Sequence, residues 1–201
     1  MSHQTAQQEA IRLAVAGLAG IDVNRRCQNA GLPRPDASGV ITFRAFGETV
    51  QLDTVRFELT LAQTGLPAPN VDRILILHSL LCDAPLSGST ELISFRNISG
   101  GQFYWEPFVA RAIRPLIGKF GNDMDGLRRN MDRFDWEPYP VGDFGARIRC
   151  FGNIAVTLVY RRGDEEFPAT ADILFDAGLR RVFHAEDVAT LAARVCARLI
   201  Q

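Results

Sequence analysis

The sequence predicts an α+β fold, in which N-terminal, central and C-terminal helices pack against an antiparallel sheet. The first observation is that the apolar extended segments are joined by short turns, which antiparallel neighbours allow and parallel neighbours do not. The second is that helical patterns gather before and after these segments. A doubly wound α/β fold is the alternative, but no strand–helix–strand rhythm runs through the chain.

Residues 1–34 are predicted to form an N-terminal helical extension. Residues 4–18 are rich in Ala, Gln and Leu, which favour helix, and Asp22 is placed to cap a second short helix that runs to Asn29. Gly31 ends that helix. Three strands are then expected to open the sheet, over residues 40–46, 49–52 and 57–61.

The middle of the chain carries the most apolar helical pattern. Residues 71–82 are apolar on nearly every face, so this helix is expected to be central and buried. A short extended segment follows at 92–96. Residues 105–120 form one apolar stripe at helical spacing, which Pro115 is expected to kink or split. Another helix is predicted over 122–134, capped by Asn122.

The C-terminal third has the clearest strands, over residues 144–151, 154–160 and 170–175. The segment 154–160 is apolar almost throughout, which is typical of an inner strand. Acidic residues at 186–187 favour the start of a last helix, whose buried stripe includes Val188 and Leu199. Residues 35–201 are therefore expected to form a single α+β domain after the helical extension.

Composition limits the class of partner. The 201 residues include 22 Lys and Arg and 23 Asp and Glu, and the net charge is −1. A general nucleic-acid partner would require a basic surplus, so no nucleic acid is expected. The apolar stretch 11–21 is too short to span a bilayer, and no membrane partner is expected. Four scattered cysteines without a CxxC pair indicate reduced thiols and a cytoplasmic location.

Covalent and metal chemistry have weak candidates only. No Gly-x-Ser-x-Gly motif occurs. Cys27 follows two arginines that would lower the pKa of its thiol, but no base can be named for it. His78 and Cys82 project from one helix face and would supply half of a metal site. The other half would come from elsewhere in the chain, with Asp164 or Glu166 as candidates. Two ligands without a second pair do not indicate a site, so a buried histidine and a core cysteine are the better interpretation, and no metal is predicted.

Phosphate-binding motifs are also absent in their complete form. There is no GxxxxGK[ST], and no GxGxxG follows a strand, so a nucleotide is not expected. Two loops of small residues, 87–89 and 99–101, remain candidates for a carboxylate or a single phosphate group, because backbone N–H groups near a helix start attract anions.

An acidic hairpin is the most distinctive feature of the chain. Its five carboxylates are Asp164, Glu165, Glu166, Asp172 and Asp176. They form either a structural ion-pair network, with Arg96, Arg161 and Arg162 as partners, or part of a ligand or cation site. If residues 164–166 are extended, the first and third carboxylates share one face, and we expect both to face Arg96. The predicted cleft consists of His78, Arg96, Tyr104, Asp164, Glu166 and Asp176.

Several short segments, in order, carry a family resemblance. They are residues 74–81, 92–96, 100–104, 163–168, 173–176 and 186–187. Together they resemble the DUF3786 family, bacterial and archaeal proteins of unknown function that come mostly from anaerobes. The resemblance covers about residues 35–201. Some members of the family carry an additional iron–sulfur-cluster domain, similar to one in corrinoid proteins. This chain has no clustered cysteines with which to build such a cluster.

The resemblance implies a metabolic neighbourhood, anaerobic redox or corrinoid and one-carbon metabolism, and it implies no reaction. Two classes of function follow. The first is a non-catalytic binding or accessory protein for a small anionic ligand, a cofactor or a partner protein. The second is an enzyme that uses the acidic cluster with His78, with or without a metal. The sequence names no cofactor and leaves open whether the chain is an enzyme.

Overall fold

A computed structural model describes residues 3–85 and 91–201. The chain divides into two compact units: Met1–Ser87 with Phe151–Ile154, and Gly88–Cys150 with Ala155–Gln201. Both units combine helices with antiparallel strands, so the predicted α+β class is confirmed. Within the described ranges, every helix is either too short or too polar to cross a membrane.

Three helices of the first unit are α1 (His3–Leu18), α2 (Val23–Ala30) and α3 (Asn70–Leu81). Both N-terminal helices pack against α3, half of whose twelve residues are buried. The predicted cap of α2 is confirmed, since the Asp22 carboxylate accepts the backbone N–H of Arg25. At the other end of α2, Gly31 adopts the left-handed conformation that ends a helix.

The strands of the first unit are β1 (Val40–Ala45), β2 (Glu48–Asp53) and β3 (Glu58–Leu61), paired in the order β3-β2-β1. The turn between β1 and β2 consists of Phe46 and Gly47, both with positive φ. It lies one residue earlier than the pattern predicted. The Phe46 ring is fully buried and packs 5.7 Å from the ring of Phe151, and this burial accompanies an unusual backbone conformation.

The second unit contains β4 (Leu92–Ser94), β5 (Asp135–Pro138) and β8 (Thr170–Asp176). It also contains β6 (Phe144–Phe151) except its last residue and β7 (Ile154–Arg161) except its first. Their order is β5-β6-β7-β8-β4, with antiparallel neighbours. β7 lies between two strands and is buried through Tyr160, as predicted for an inner strand. β5 was not predicted, because its sequence is polar and ends in proline. An edge strand tolerates both.

The helices of the second unit are α4 (Trp105–Phe108), α5 (Arg114–Phe120), α6 (Met124–Met131) and α7 (Ala185–Leu199). A π-helical turn, Val109–Ile113, joins α4 to α5, and in it Arg114 N–H donates to the carbonyl of Val109. The predicted break near Pro115 therefore takes the form of a wide turn that precedes the proline. α6 is shorter than predicted and is capped by Asp123, whose carboxylate accepts Gly126 N–H.

Candidate functional site

The acidic hairpin connects β7 to β8 and is closed by its own first carboxylate. Asp164 accepts the backbone N–H groups of Glu166 and Phe167 at 2.9 and 2.8 Å. Its own N–H donates to the carbonyl of Phe167 at 2.8 Å. These N–H groups hold the pKa of Asp164 below its ordinary value. The condition under which Asp164 and Glu166 would share one face, an extended 164–166 segment, is therefore not met, because the carboxylate folds the chain into a tight turn.

Two further contacts hold this turn in place. The Asn122 side chain accepts Gly163 N–H at 2.8 Å and donates to the carbonyl of Gly163 at 3.1 Å. Arg162 N–H donates to the carboxylate of Asp143 at 2.8 Å. Asn122 was predicted to cap a helix, but its side chain instead makes two hydrogen bonds to the backbone of Gly163 in the hairpin. The turn is thus held by hydrogen bonds within the protein, some local and some from distant side chains, that need no ligand.

The other two acidic residues of the predicted cluster lie on β8 and pair with arginines. Asp176 is 5% exposed, and Arg147 on β6 binds both its oxygens at 2.8 and 3.2 Å. This bond raises the pKa of Arg147. Asp172 pairs with Arg161 at 3.4 Å, where both side chains are half exposed. Arg161 was an expected partner, whereas Arg147 was not anticipated from the sequence.

Arg96 lies in a 3₁₀ turn, Phe95–Asn97, and not at the end of a strand. Its guanidinium carbon is 4.2 Å from the ring centroid of Trp105. The Trp105 ring stacks at 5.5 Å on Phe108, which in turn stacks at 4.3 Å on the buried Phe95. Among the described residues, Arg96 forms no ion pair, so the expected pairing with Asp164 or Glu166 is not present. Asp164 instead accepts backbone N–H groups of its own turn, and Arg96 instead stacks on the ring of Trp105.

A hollow of about 510 Å³ opens beside Arg96, and we call it the Arg96 depression. Its lining includes Arg96, Asn97, Gly100, Gln102, Phe103 and Arg180. No carboxylate occurs among the described residues that line it. Arg180 is exposed, in a 3₁₀ turn after β8, and like Arg96 it has no ion-pair partner in the described part of the chain.

The loop that forms one wall of the depression depends on two glycines. Gly100 has φ +83°, which favours glycine. A Cβ on Gly101 would lie 2.0 Å from the carbonyl oxygen of Phe95, so the backbones meet there without room for a side chain. This is the predicted small-residue loop 99–101, and it does line a hollow. The other predicted loop, 87–89, lies outside the described residues.

The six residues of the predicted cleft thus have different surroundings. Asp164 and Glu166 are exposed in the hairpin turn, and Asp176 is buried against Arg147. Tyr104 is 59% exposed and directly follows Phe103 of the depression. His78 belongs to the other unit, half-buried on α3. Arg96 alone of the six lines the depression.

Thiols and metal ligands supply no second candidate. Burial raises the pKa of Cys27 to about 11, which corrects the expectation that neighbouring arginines lower it. Cys196 is also buried, and burial raises its pKa to about 12. In the described segments, no three His, Cys, Asp or Glu side chains gather where they could hold a metal ion.

Four residues that line or adjoin the Arg96 depression were not predicted as site residues from the sequence: Gln102, Phe103, Trp105 and Arg180. One signal was available, because three consecutive aromatic residues that follow two glycines and Gln102 are unusual for a solvated loop. Phe103 is 90% exposed, which is exceptional for phenylalanine. The approach of Arg180 to this loop depends on tertiary structure and leaves no local pattern.

Comparison with known proteins gives the family and no closer relative. Neither a curated protein nor a solved structure matches the chain. A family model described as a domain of unknown function, DUF3786, matches residues 22–198. The match begins within the predicted N-terminal extension and takes in α2. It contains every residue named for the Arg96 depression. The chain belongs to the DUF3786 family.

Proposed function

We propose that this protein is a non-catalytic binding or accessory protein that holds a small anionic ligand in the Arg96 depression. The observation that carries the proposal is the pair of guanidinium groups, Arg96 and Arg180, which line one hollow that has no carboxylate among its described lining residues. We infer from the family resemblance alone that the setting is anaerobic redox or corrinoid and one-carbon metabolism.

The position of Arg96 favours an anion receptor. Stacking on Trp105 at 4.2 Å restricts the guanidinium and covers one of its faces. A side chain that is restricted before binding loses less conformational entropy when it binds. Its planar set of N–H donors suits the oxygens of a carboxylate or a phosphate. A hollow of about 510 Å³ has the size of an ordinary small-molecule site.

The alternative, an enzyme that uses the acidic cluster with His78, has less support. Asp164 is occupied by the backbone of its own turn, and Asp176 by Arg147. A general acid or base needs a carboxylate that reaches a substrate. No specific observation favours this second function.

Binding of inorganic phosphate to the depression tests the proposal. The chain has two tryptophans, so Trp136→Phe leaves Trp105 as the reporter beneath Arg96. We expect added phosphate to change Trp105 emission along a saturable curve, and isothermal calorimetry to give the same dissociation constant. Sulfate should compete, since its oxygens offer the same acceptors.

Charge removal at Arg180 is the decisive variant. Arg180→Ala should weaken phosphate binding at least about tenfold, as expected for the loss of a charge-assisted hydrogen bond. Arg161→Ala is the matched control, because it removes an exposed arginine that lies outside the depression and pairs with Asp172. Equal affinities in the two variants would place phosphate elsewhere and sink the proposal. Unfolding midpoints of both variants check that each is folded.

A further inference from the structure

A second hollow, of about 470 Å³, shares three lining residues with the Arg96 depression: Arg96, Gln102 and Phe103. Its remaining lining consists of Trp105 and Glu106. The two hollows therefore adjoin at Arg96 and Phe103, and their chemistry differs. Arg96 lines both; the first hollow adds the second cation Arg180, and the other adds the ring of Trp105 and the carboxylate of Glu106.

Phe103 is the exposed aromatic surface between the hollows. At 90% exposure its ring makes little contact with the described residues, although Trp105, two positions later, is half-buried. A ring in this position offers a face or an edge to another flat group, and such contacts contribute beyond the area that they bury. The same ring lines both hollows, so a planar group on it would lie near Arg96.

Glu106 adds a hydrogen-bond acceptor to the aromatic hollow. Its side chain is 75% exposed, and one oxygen receives an N–H of Arg114 at 3.3 Å. A carboxylate has about four acceptor sites, so it retains capacity for a donor on a ligand. An N–H or amino group on a ring that stacks against Phe103 would satisfy that capacity.

We infer that the ligand is a planar heteroaromatic ring that carries an amino group and is linked to one phosphate, a class represented by purine nucleoside monophosphates. The phosphate binds Arg96 and Arg180, the ring stacks on Phe103, and the amino group donates to Glu106. This inference rests on the proposed anion-binding function and adds the identity of the rest of the molecule. The absent GxxxxGK[ST] and GxGxxG motifs, from which a nucleotide was not expected, hold the phosphate chains of triphosphates and dinucleotides. Their absence does not bear on a single phosphate held by two arginines, so a monophosphate suits the chain better than a triphosphate.

Four probes separate the contributions of phosphate, ring and amino group in the Trp136→Phe protein. They are inorganic phosphate, ribose 5-phosphate, adenosine 5′-monophosphate and purine riboside 5′-monophosphate, which lacks the amino group. We expect adenosine 5′-monophosphate to bind at least about tenfold more tightly than ribose 5-phosphate, which is the order of gain measured for stacking a base on an aromatic side chain. Purine riboside 5′-monophosphate should bind with intermediate affinity.

Variants assign each gain to a residue. Phe103→Ala should remove the preference for adenosine 5′-monophosphate over ribose 5-phosphate. Glu106→Ala should make adenosine and purine riboside monophosphates bind equally. Arg114→Ala is its control, because it breaks the same ion pair and keeps the carboxylate. The ring of Phe103 is exposed, so its removal leaves the core intact.

The outcomes distinguish this inference from the proposed function. If ribose 5-phosphate and adenosine 5′-monophosphate bind equally and Arg180→Ala weakens both, the anion site stands and the ring assignment is overturned. If Phe103→Ala leaves the preference intact, the ring stacks elsewhere and the inference is also overturned. If neither probe nor inorganic phosphate binds, the proposed function fails together with it.

Discussion

Single carboxylates in this chain are held by two different kinds of donor. Asp164 is exposed and is held by two backbone N–H groups of its own turn. Asp176 is buried and is held by the two terminal guanidinium nitrogens of Arg147. The first arrangement shapes a loop, and the second neutralises a charge inside the protein. Their loss therefore has different consequences for stability.

Asp164 should make the stability of the protein depend on pH. Its folded pKa is lower than the ordinary value of 3.8, chiefly through N–H bonds from Phe167 and Glu166. Its stabilisation is therefore complete above the unfolded pKa and is lost as the pH falls through the folded pKa. We expect Asp164→Ala to lower the denaturant midpoint at neutral pH, and the difference from wild type to shrink below about pH 4.

The control for this prediction is Glu165→Ala, which removes an exposed neighbour in the same turn. Its midpoint should follow that of wild type at every pH. Chemical denaturation followed by circular dichroism, repeated from about pH 7 to about pH 2, measures both variants. A difference for Asp164→Ala that stays constant down to the lowest pH would contradict the assignment.

Removal of Arg147 should cost far more than removal of Arg161. Arg147→Ala leaves Asp176, which is 5% exposed, without its bidentate partner, and we expect a loss of about 2–4 kcal/mol in the free energy of unfolding. Arg161→Ala breaks a half-exposed pair with Asp172 and should cost less than about 0.5 kcal/mol. Urea titration of both variants gives the comparison. Equal losses would show that burial does not determine how much each ion pair contributes to the free energy of unfolding.

At the scale of elements, local sequence patterns were sufficient to predict a helix or strand where its burial or a capping residue determines the structure. The inner strand β7 follows from its apolar run, and α2 follows from Asp22 and Gly31. β5 was not predicted, because its sequence is polar and it is a strand only through its pairing with β6. The π-helical turn before Pro115 was not predicted, because a proline in the sequence indicates that a helix breaks but does not indicate the geometry of the break.

The candidate site was less predictable than the fold. The hairpin was predicted as a candidate site because of its concentrated negative charge. Its Asp164 carboxylate accepts backbone N–H groups, and a sequence pattern does not show such bonds. Arg96 was identified, but its partner was expected to be a carboxylate and is the ring of Trp105. Arg180 reaches the same hollow from a distant part of the sequence, so only the tertiary fold brings the two cations together.

The loop between β4 and α4 should tolerate no side chain at Gly101. A Cβ there would lie 2.0 Å from the carbonyl oxygen of Phe95 and 3.0 Å from that of Ile98, and both are backbone atoms. We expect Gly101→Ala to destabilise the protein by about 1–3 kcal/mol. Thermal unfolding and phosphate titration of the variant measure the loss of stability and any distortion of the Arg96 depression.

Gly118→Ala is the matched control for that substitution. Gly118 lies within α5, and nothing lies within 4 Å of the position of a Cβ there. The same change should raise the free energy of unfolding by about 0.5–1 kcal/mol, because alanine favours helix. If both substitutions destabilise equally, close approach of the backbones is not what requires glycine at position 101.

At the scale of the whole molecule, the cysteines are distributed over both units and differ in exposure. None of the four forms a disulfide. Cys27, Cys150 and Cys196 are buried, and burial raises the pKa of each thiol. Cys82, just after α3, is half-buried. Because the thiolate is the reactive form, the three buried thiols should be inert while the protein is folded.

We therefore expect one thiol to react rapidly with a disulfide reagent in the native protein and three more to react after denaturation. Cys82→Ser should abolish the fast phase and leave the slow one unchanged. Cys27→Ser serves as the control, because it should remove one slow thiol and keep the fast phase. Rapid reaction of two or more thiols in the native protein would show that either unit opens more readily than its burial indicates.

The stacking of Arg96 on Trp105 also has a magnetic consequence. Protons held above an indole face experience its ring current, so the Nε–H resonance of Arg96 should be displaced upfield from those of arginines in solvent. The displacement depends steeply on the height and tilt of the guanidinium above the ring. A ligand that draws Arg96 toward Arg180 would move this single resonance. One line in a ¹⁵N spectrum thus reports whether the depression is occupied, without any label on the ligand.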